Sequence, residues 1–415
     1  MGRPRVKALL TILVVVAAAG CRQAPSPKPA NGPPPAALVP PAVQVPADWR
    51  EQARAAHQRG VEYLVRTQNK DGSWGDFGSA RPYETWLEDY MAFQAYYAAT
   101  TALCVMALQS THVDFDIEIA GNAGTPFVDP NPAWTAYVRG VDYLLHAKTS
   151  YRTSGDVLYD NWAHLYVTYA LSILARDERL ADRREKIVEV VQREIGRLVQ
   201  QQGADGGWGY YDFGWAQRRP SGMESTSFTT AAIVVALGEC RKSGIDFPER
   251  LVRDGLRVVE RLRIGNGAYN YGNPPNDPLA SFNDVKGSIG RSQVCNLALW
   301  RNGRVVTKDD LRRGIENLFK YHHFIEIGRG RPIPHEAWYS TAGYYYLFAH
   351  YYAAKVLVEL DPEDRARWCP MLAKTLIDGQ DPGGSWLDFP MYQFGQPYGT
   401  AFALLALEVC LEEEK

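Results

Sequence analysis

Gln68-Asn69-Lys70-Asp71-Gly72-Ser73-Trp74 decides the fold, because the chain repeats it. The phrase returns as Gln202-Gly203-Ala204-Asp205-Gly206-Gly207-Trp208 and as Gln380-Asp381-Pro382-Gly383-Gly384-Ser385-Trp386. A decayed copy reads Arg263-Ile264-Gly265-Asn266-Gly267-Ala268-Tyr269. The copies are separated by 134, 61 and 117 residues. If the first and last gaps each hold two units, the repeat is about 60 residues long.

Each unit has one order: an amphipathic helix, a glycine turn ending in an aromatic, an irregular stretch, then a helix apolar almost all round. The amphipathic set is read at 49–67, 134–147, 184–201, 249–261, 308–321 and 364–377. In the third, Val188, Val191, Ile195, Leu198 and Val199 share one face opposite the charges. The apolar set is read at 96–108, 162–175, 227–240, 292–301, 340–360 and 399–411. It is rich in Ala, Leu, Val and Tyr, as helices buried on most sides are. Six of each, alternating, predict an all-α double ring with the apolar helices inside. The last helix is as apolar as the middle ones, which favours a closed ring over an open solenoid needing polar caps.

The Gln…Gly-X-Trp phrase resembles the QW motif of the terpenoid-cyclase and protein-prenyltransferase superfamily. The resemblance spans residues 48–415 and implies an (α/α)6 toroid. Within it, the Gln ends one helix and bonds nearby backbone, Asp-Gly makes the turn, and the Trp covers both. The superfamily's reactive signatures do not carry over. Squalene–hopene-type cyclases have Asp-X-Asp-Asp, where this chain has Asp114-Phe115-Asp116-Ile117-Glu118 in a segment between helices. Protein prenyltransferases hold zinc with Asp-X-Cys and a later His. Here the place reads Gln293-Val294-Cys295, followed in the next inner helix by Tyr339, Ser340 and Thr341. One Cys is not a zinc site, so neither metal nor cofactor is expected. The Gly-Cys-Gly-Glu-Gln of thioester proteins with this fold is absent as well.

Residues 1–20 read as a signal peptide: Arg3, Arg5 and Lys7 precede the apolar run 8–16, too short to span a membrane. Ala18-Ala19-Gly20-Cys21 resembles a bacterial lipobox, which implies cleavage before Cys21 and lipidation of its thiol. Two acyl chains would then anchor the protein to a membrane. Arg22 is not the Asp that retains some lipoproteins at the inner membrane, so the periplasmic face or outer membrane is the expected address. Residues 21–47 form a tether, with nine prolines in 22–47 and few bulky apolar groups. Loss of residues 1–20, with three cations and no acid, takes the net charge from −2 to −5. No basic stripe stands out, so nucleic acid is not an expected partner. The five remaining cysteines are an odd number, mostly inside apolar helices, and read as small buried hydrophobes.

Chemistry is expected at the mouth where the inner helices start, because helix N-termini carry free N–H groups and partial positive charge. The residues there include Asp89, Tyr90, Gln94 and Tyr96; Asp160, Asn161 and His164; Glu224, Ser225 and Thr226; Arg291, Ser292, Gln293 and Cys295; His335, Glu336, Tyr339 and Ser340; Gln396 and Tyr398. The hydroxyls have a capping role open to them. Capping does not require Glu224, His335 or Arg291. Glu224 and His335 are therefore the acid–base candidates, with Arg291 as an anion clamp. Asp160, His164, Gln293, Tyr339 and Tyr398 complete the ligand-binding set. Two side features stay open. His322-His323 suits the end of an outer helix, and Arg329 and Arg331 flank a Gly/Pro loop able to grip an anion or simply be solvated.

The expected function is therefore binding of a hydrophobic or amphipathic ligand in the central cavity. If there is turnover, it would be cyclase-like or transferase-like. Two alternatives remain: a non-catalytic scaffold for a protein partner, and a polysaccharide-active toroid using the 24 Tyr and 11 Trp as stacking subsites. No carboxylate pair at glycosidase separation can be matched.

Overall fold

The computed structural model describes residues 44–76, 90–109, 131–149, 159–210, 225–272, 283–390 and 392–412. The leader, Cys21, most of the tether, Asp89, the 114–118 segment and Glu224 lie outside them. The helices are α1 (Trp49–Thr67), α2 (Tyr90–Gln109), α3 (Pro132–His146), α4 (Asn161–Leu174), α5 (Arg184–Gln201), α6 (Ser227–Lys242), α7 (Arg250–Leu262), α8 (Val285–Arg301), α9 (Lys308–Lys320), α10 (His322–Gly328), α11 (Tyr345–Leu357), α12 (Pro362–Asp378) and α13 (Gly395–Leu411).

The apolar helices pack in the cycle α2, α4, α6, α8, α11, α13 and back to α2. The amphipathic helices lie outside, each against its inner partners. This is an (α/α)6 toroid. Composition explains the layering. In α7 the buried side is Leu251, Val252, Leu256, Val259 and Leu262, with the arginines facing out. In α6 every residue from Ser227 to Leu237 is buried, as an inner helix touched on all sides requires.

The repeated phrase stitches the ring. Trp74, Trp208 and Trp386 are fully buried, and each indole N–H donates to a carbonyl ten residues earlier: Leu64 at 2.8 Å, Leu198 at 2.8 Å and Leu376 at 2.7 Å. Their backbone N–H groups donate to a threonine of the following inner helix: Thr101, Thr230 and Thr400, at 3.1, 3.0 and 3.1 Å. The glutamines close the turns by donating to Gly72, Gly206 and Gly384 carbonyls. Gln68 and Gln380 also donate to the next outer helix, at Ala136 and Ala56, both 2.8 Å. The turn glycines have φ of 91°, 97° and 89°, and Gly72 and Gly384 press on that helix's backbone.

Each indole then sits on a glycine of the next outer helix. A Cβ on Gly140 would meet Trp74 at 2.8 Å, one on Gly255 would meet Trp208 at 3.1 Å, and one on Gly60 would meet Trp386 at 2.8 Å. The last contact joins repeat six to repeat one. In the decayed copy, Tyr269 takes Ser288 in place of threonine and donates its hydroxyl to Asn296 at 2.7 Å. Asn296 occupies the space over Gly314.

Four helix starts differ from the sequence reading by four residues or more, one of them α13, which starts at Gly395 and not at 399. α2 starts at Tyr90, six residues before Tyr96. α8 begins at Val285, because Asp284 caps it by accepting from Lys286 N–H at 2.9 Å. Arg291 and Gln293 therefore lie well inside the helix and not at its start. α11 begins at Tyr345 and not Ser340, since Tyr339 and Ser340 have φ of 58° and 52°. Its start is capped from a distance by Asp388, which accepts Leu347 N–H at 3.1 Å.

Gly140→Ala is expected to lower stability by about 1–3 kcal/mol through overpacking against Trp74. Gly196→Ala, where an added Cβ meets nothing, should instead raise it by up to ~1 kcal/mol. Denaturant melts of the two variants measure both.

Candidate functional site

The inner-helix N-termini converge on a two-tier aromatic cluster. Phe228 of α6, Phe348 of α11, Phe402 of α13, Tyr345 and Tyr352 are buried and form the floor. The upper tier is half-buried: Tyr159, Trp162, Tyr210, Tyr271, Tyr344 and Tyr398. Tyr159 stacks on Tyr96 and Tyr210 at 5.5 and 5.3 Å. Trp162 stacks on Tyr166 and Tyr210 at 5.9 and 6.2 Å. Phe228 meets Tyr271 and Tyr345 at 5.6 and 5.3 Å. The centre of the ring is thus filled with aromatic rings, buried at depth and half-buried toward the starts of the inner helices.

Two polar groups contact this cluster through its tyrosines. Asp388 is fully buried, accepting from Leu347 N–H and, at 2.9 Å, from the Tyr398 hydroxyl. Burial raises its pKa to about 7, against the lowering effect of these donors. His335 has φ of 63°, and together with Tyr339 and Ser340 it is one of three positive-φ non-glycine residues among the described residues. Such strain collects at functional loops. Its Nδ1 donates to the Ser340 carbonyl at 2.7 Å, and its Nε2 accepts from the Tyr344 hydroxyl at 3.0 Å. The residue as a whole is exposed, but Tyr271, Tyr344 and Tyr345 crowd its ring. That desolvation lowers its pKa, the Ser340 carbonyl opposes, and the Arg291 charge adds to the lowering. Neutral imidazole, with its Nε2 electron pair engaged by the Tyr344 hydroxyl, is the result. Tyr344 also lies edge-on to Phe389, the residue after Asp388, at 5.6 Å.

The other sequence candidates go elsewhere. Arg291 is buried and spends its donors on carbonyls: Gly287 at 2.9 Å and Tyr269 at 3.1 and 2.9 Å. It straps the decayed turn to α8 and does not project as an anion clamp. Gln293 donates to Gly314 O at 2.8 Å, so it faces α9 and not the ring centre. Tyr339 accepts from Lys286 Nζ at 2.9 Å. Arg329 and Arg331 are engaged locally, with Glu326 at 2.8 Å and Glu336 at 3.7 Å. His322 pairs with buried His350, Nε2 to Nε2 at 3.0 Å, and burial pushes their pKa values down to about 4 and about 3. Among the described residues no group of three or more ligating side chains could hold a metal. The five described cysteines are buried and unpaired.

Asp160 and His164 do meet, but between layers. His164 lies 3.3 Å from Asp160 and 2.7 Å from Glu194 of α5, and Thr149 donates to both Glu194 oxygens at 2.8 Å. Glu194 stands eight residues before Gln202, as Gly60 does before Gln68 and Gly255 before Arg263. A charged cluster therefore fills the place that a glycine occupies elsewhere. Burial alone would lower the His164 pKa, yet the two carboxylates carry it up to about 9. Glu194 is held low, against burial, by His164 and Arg193.

Of this cluster Tyr398 was a sequence candidate, whereas Asp388, Tyr159, Tyr210 and Tyr271 were not. The available signal was the position two residues past each motif aromatic: Tyr210 after Trp208, Tyr271 after Tyr269 and Asp388 after Trp386.

No family model matches the chain. A curated α2-macroglobulin of Thermotoga maritima is 29% identical over 85 residues, an alignment spanning 20% of this chain and 5% of that protein. Among solved structures, cellobiose 2-epimerase from Bacillus thermoamylovorans is similar with a TM-score of 0.55 and 10% identity, over 87% of this chain and 99% of that one. A type II terpene cyclase from Scytonema, bound to geranylgeranyl dihydroxybenzoate, gives 0.49 and 13% identity, over 88% and 98%. A possible member of glycoside hydrolase family 105 from Salmonella enterica gives 0.45 and 12%, over 89% and 97%. The epimerase likeness supports the toroid fold and nothing finer.

His164 gains stability from its raised pKa. That contribution is complete below about 6.5, the unfolded value, and is lost as pH rises through about 9. His164→Gln should cost on the order of a few kcal/mol at pH 6, and the gap to wild type should shrink by pH 10. Melting both proteins across this range checks the sign.

Proposed function

We propose that this toroid binds an amphipathic small molecule on the aromatic cluster at its mouth, and that it does so as an exported protein held on a membrane by lipid at Cys21. The observation that carries the first part is the two-tier cluster. A buried aromatic floor with a half-buried rim of Tyr and Trp offers flat apolar faces, and the hydroxyls of Tyr344 and Tyr398 supply polar handles. Mostly apolar walls with a few converging polar groups are the composition of a ligand site. The leader and lipobox-like sequence support the second part, and the proline-rich tether gives the domain reach from the surface.

Chemistry at this site would fall to Asp388, Tyr398, His335 and Tyr344. Arg291 holds the Tyr269 turn to α8, lies against Tyr271, and acts on His335 through its charge. Aromatic faces also stack on the apolar side of sugar rings, so the binding test carries both ligand types.

Equilibrium dialysis with geranylgeraniol and with cellobiose is expected to show saturable binding of the first. Trp162→Ala should weaken it at least tenfold, since burying a large side chain against a ligand is worth about 1.5–3 kcal/mol. Cellobiose binding with no geranylgeraniol binding would replace this reading with the carbohydrate one. For the anchor, Cys21→Ser should move the full-length protein from the membrane pellet to the soluble fraction. A pelleted variant would remove the lipid anchor from the account.

A further inference from the structure

The five described cysteines do not share one setting. Cys104, Cys240 and Cys295 sit on three separate inner helices. Cys104 donates to the Pro397 carbonyl at 3.6 Å, Cys240 pairs with the Ser172 hydroxyl at 3.0 Å, and burial pushes all three thiols up. Cys369 and Cys410 instead meet each other. Cys369 lies on outer helix α12 and Cys410 in the last turn of inner helix α13, the two helices of the hairpin that closes the ring. Their thiols are hydrogen-bonded, and both residues are buried. The register of the two helices agrees with this contact. Arg365, one turn before Cys369, donates at 3.5 Å to the carbonyl of Val409, the neighbour of Cys410.

We propose that Cys369 and Cys410 are oxidised to a disulfide that locks the closing hairpin of the ring. The oxidant is a disulfide that reacts by thiol–disulfide exchange. The proposal rests on the reading of the chain as exported, because disulfides persist in oxidising compartments. In the step, the Cys369 thiolate attacks one sulfur of the oxidant, whose S–S bond breaks and whose other sulfur leaves as a thiolate. Cys410 gives its proton to that thiolate, attacks the Cys369 sulfur, and expels the second sulfur of the oxidant. Two thiols are oxidised and one disulfide is reduced to two thiols. The Cys410 bond and the charges of Arg365 and Arg50 hold the Cys369 thiol below the ordinary range against burial, which suits it to attack first. Access requires only that the last turn of α13 fray, as helix ends do. The bond joins positions 41 residues apart and ties down a helix whose other end carries Tyr398 and Phe402 of the aromatic cluster. Helix α1 packs on both α12 and α13, so the lock lies at the seam of first and last hairpins.

The test takes the purified, reduced full-length protein and incubates it with oxidised glutathione. Samples are then denatured, free thiols are blocked with N-ethylmaleimide, and the digest is mapped by mass. The peptides of Cys369 and Cys410 are expected to leave joined, with Cys104, Cys240 and Cys295 alkylated. Melting temperature should rise by roughly 3–8 °C on oxidation and fall back with dithiothreitol. Cys369→Ala and Cys410→Ala should each abolish both the link and the rise. Alkylation of all five thiols at every glutathione ratio, or a link between any other two of the five, overturns the proposal. The same mapping on protein taken from cells, with thiols blocked at lysis, separates it from the export reading. A chain that links in glutathione but is fully reduced in cells overturns the oxidising address and not the pair.

Discussion

An indole seated on a glycine of the neighbouring hairpin is the contact on which this ring depends. It appears as Trp74 on Gly140, Trp208 on Gly255 and Trp386 on Gly60, and each time the same tryptophan holds its own helix end and the next inner helix. One residue, through its indole and its backbone N–H, thus fixes three helices. Without the glycine the indole could not approach the outer helix. Without the indole the glycine would leave a cavity and a weakened helix. The contact between the last hairpin and the first closes the circle, so no terminal repeat faces solvent with an apolar side.

Where the motif is missing, the ring uses other fillings. The decayed turn replaces the indole with Tyr269 and Asn296 and adds the Arg291 strap. The second turn sets Glu194 in the glycine's place and balances it with His164, Arg193 and Thr149. At the opposite ends of the inner helices, Arg176 pairs with Glu239 and Arg301 with Glu359. These ion pairs are partly exposed and individually weak. They fix the angular order of the helices more than they add stability.

The architecture was legible because it is periodic. Helices α1 and α5 fall on their expected boundaries, since three-and-four spacing and the following Gln-turn mark both ends. Helix starts at the mouth were harder. α8 gains seven residues through the Asp284 cap, and α11 loses five to a strained loop and a cap supplied from Asp388. Those are tertiary effects with no local signature. The same limit hid the site. His335 stood out as a residue that capping did not need, and it lies on the rim. Arg291 stood out for the same reason and Gln293 as one of the mouth residues, but the longer α8 turned them toward Tyr269 and Gly314. Asp388 follows the Gln380–Trp386 phrase by two residues with no signature of its own, and only its burial behind Tyr398 distinguishes it.

The central claim is that the mouth of this ring holds an amphipathic molecule. Native mass spectrometry of the full-length protein, incubated with a total bacterial lipid extract and released from detergent, tests it most directly. The account predicts a discrete small-molecule mass on the wild type that is absent from a Trp162→Ala variant with unchanged melting temperature. A wild type that emerges bare, or an adduct equally abundant on the variant, would contradict it.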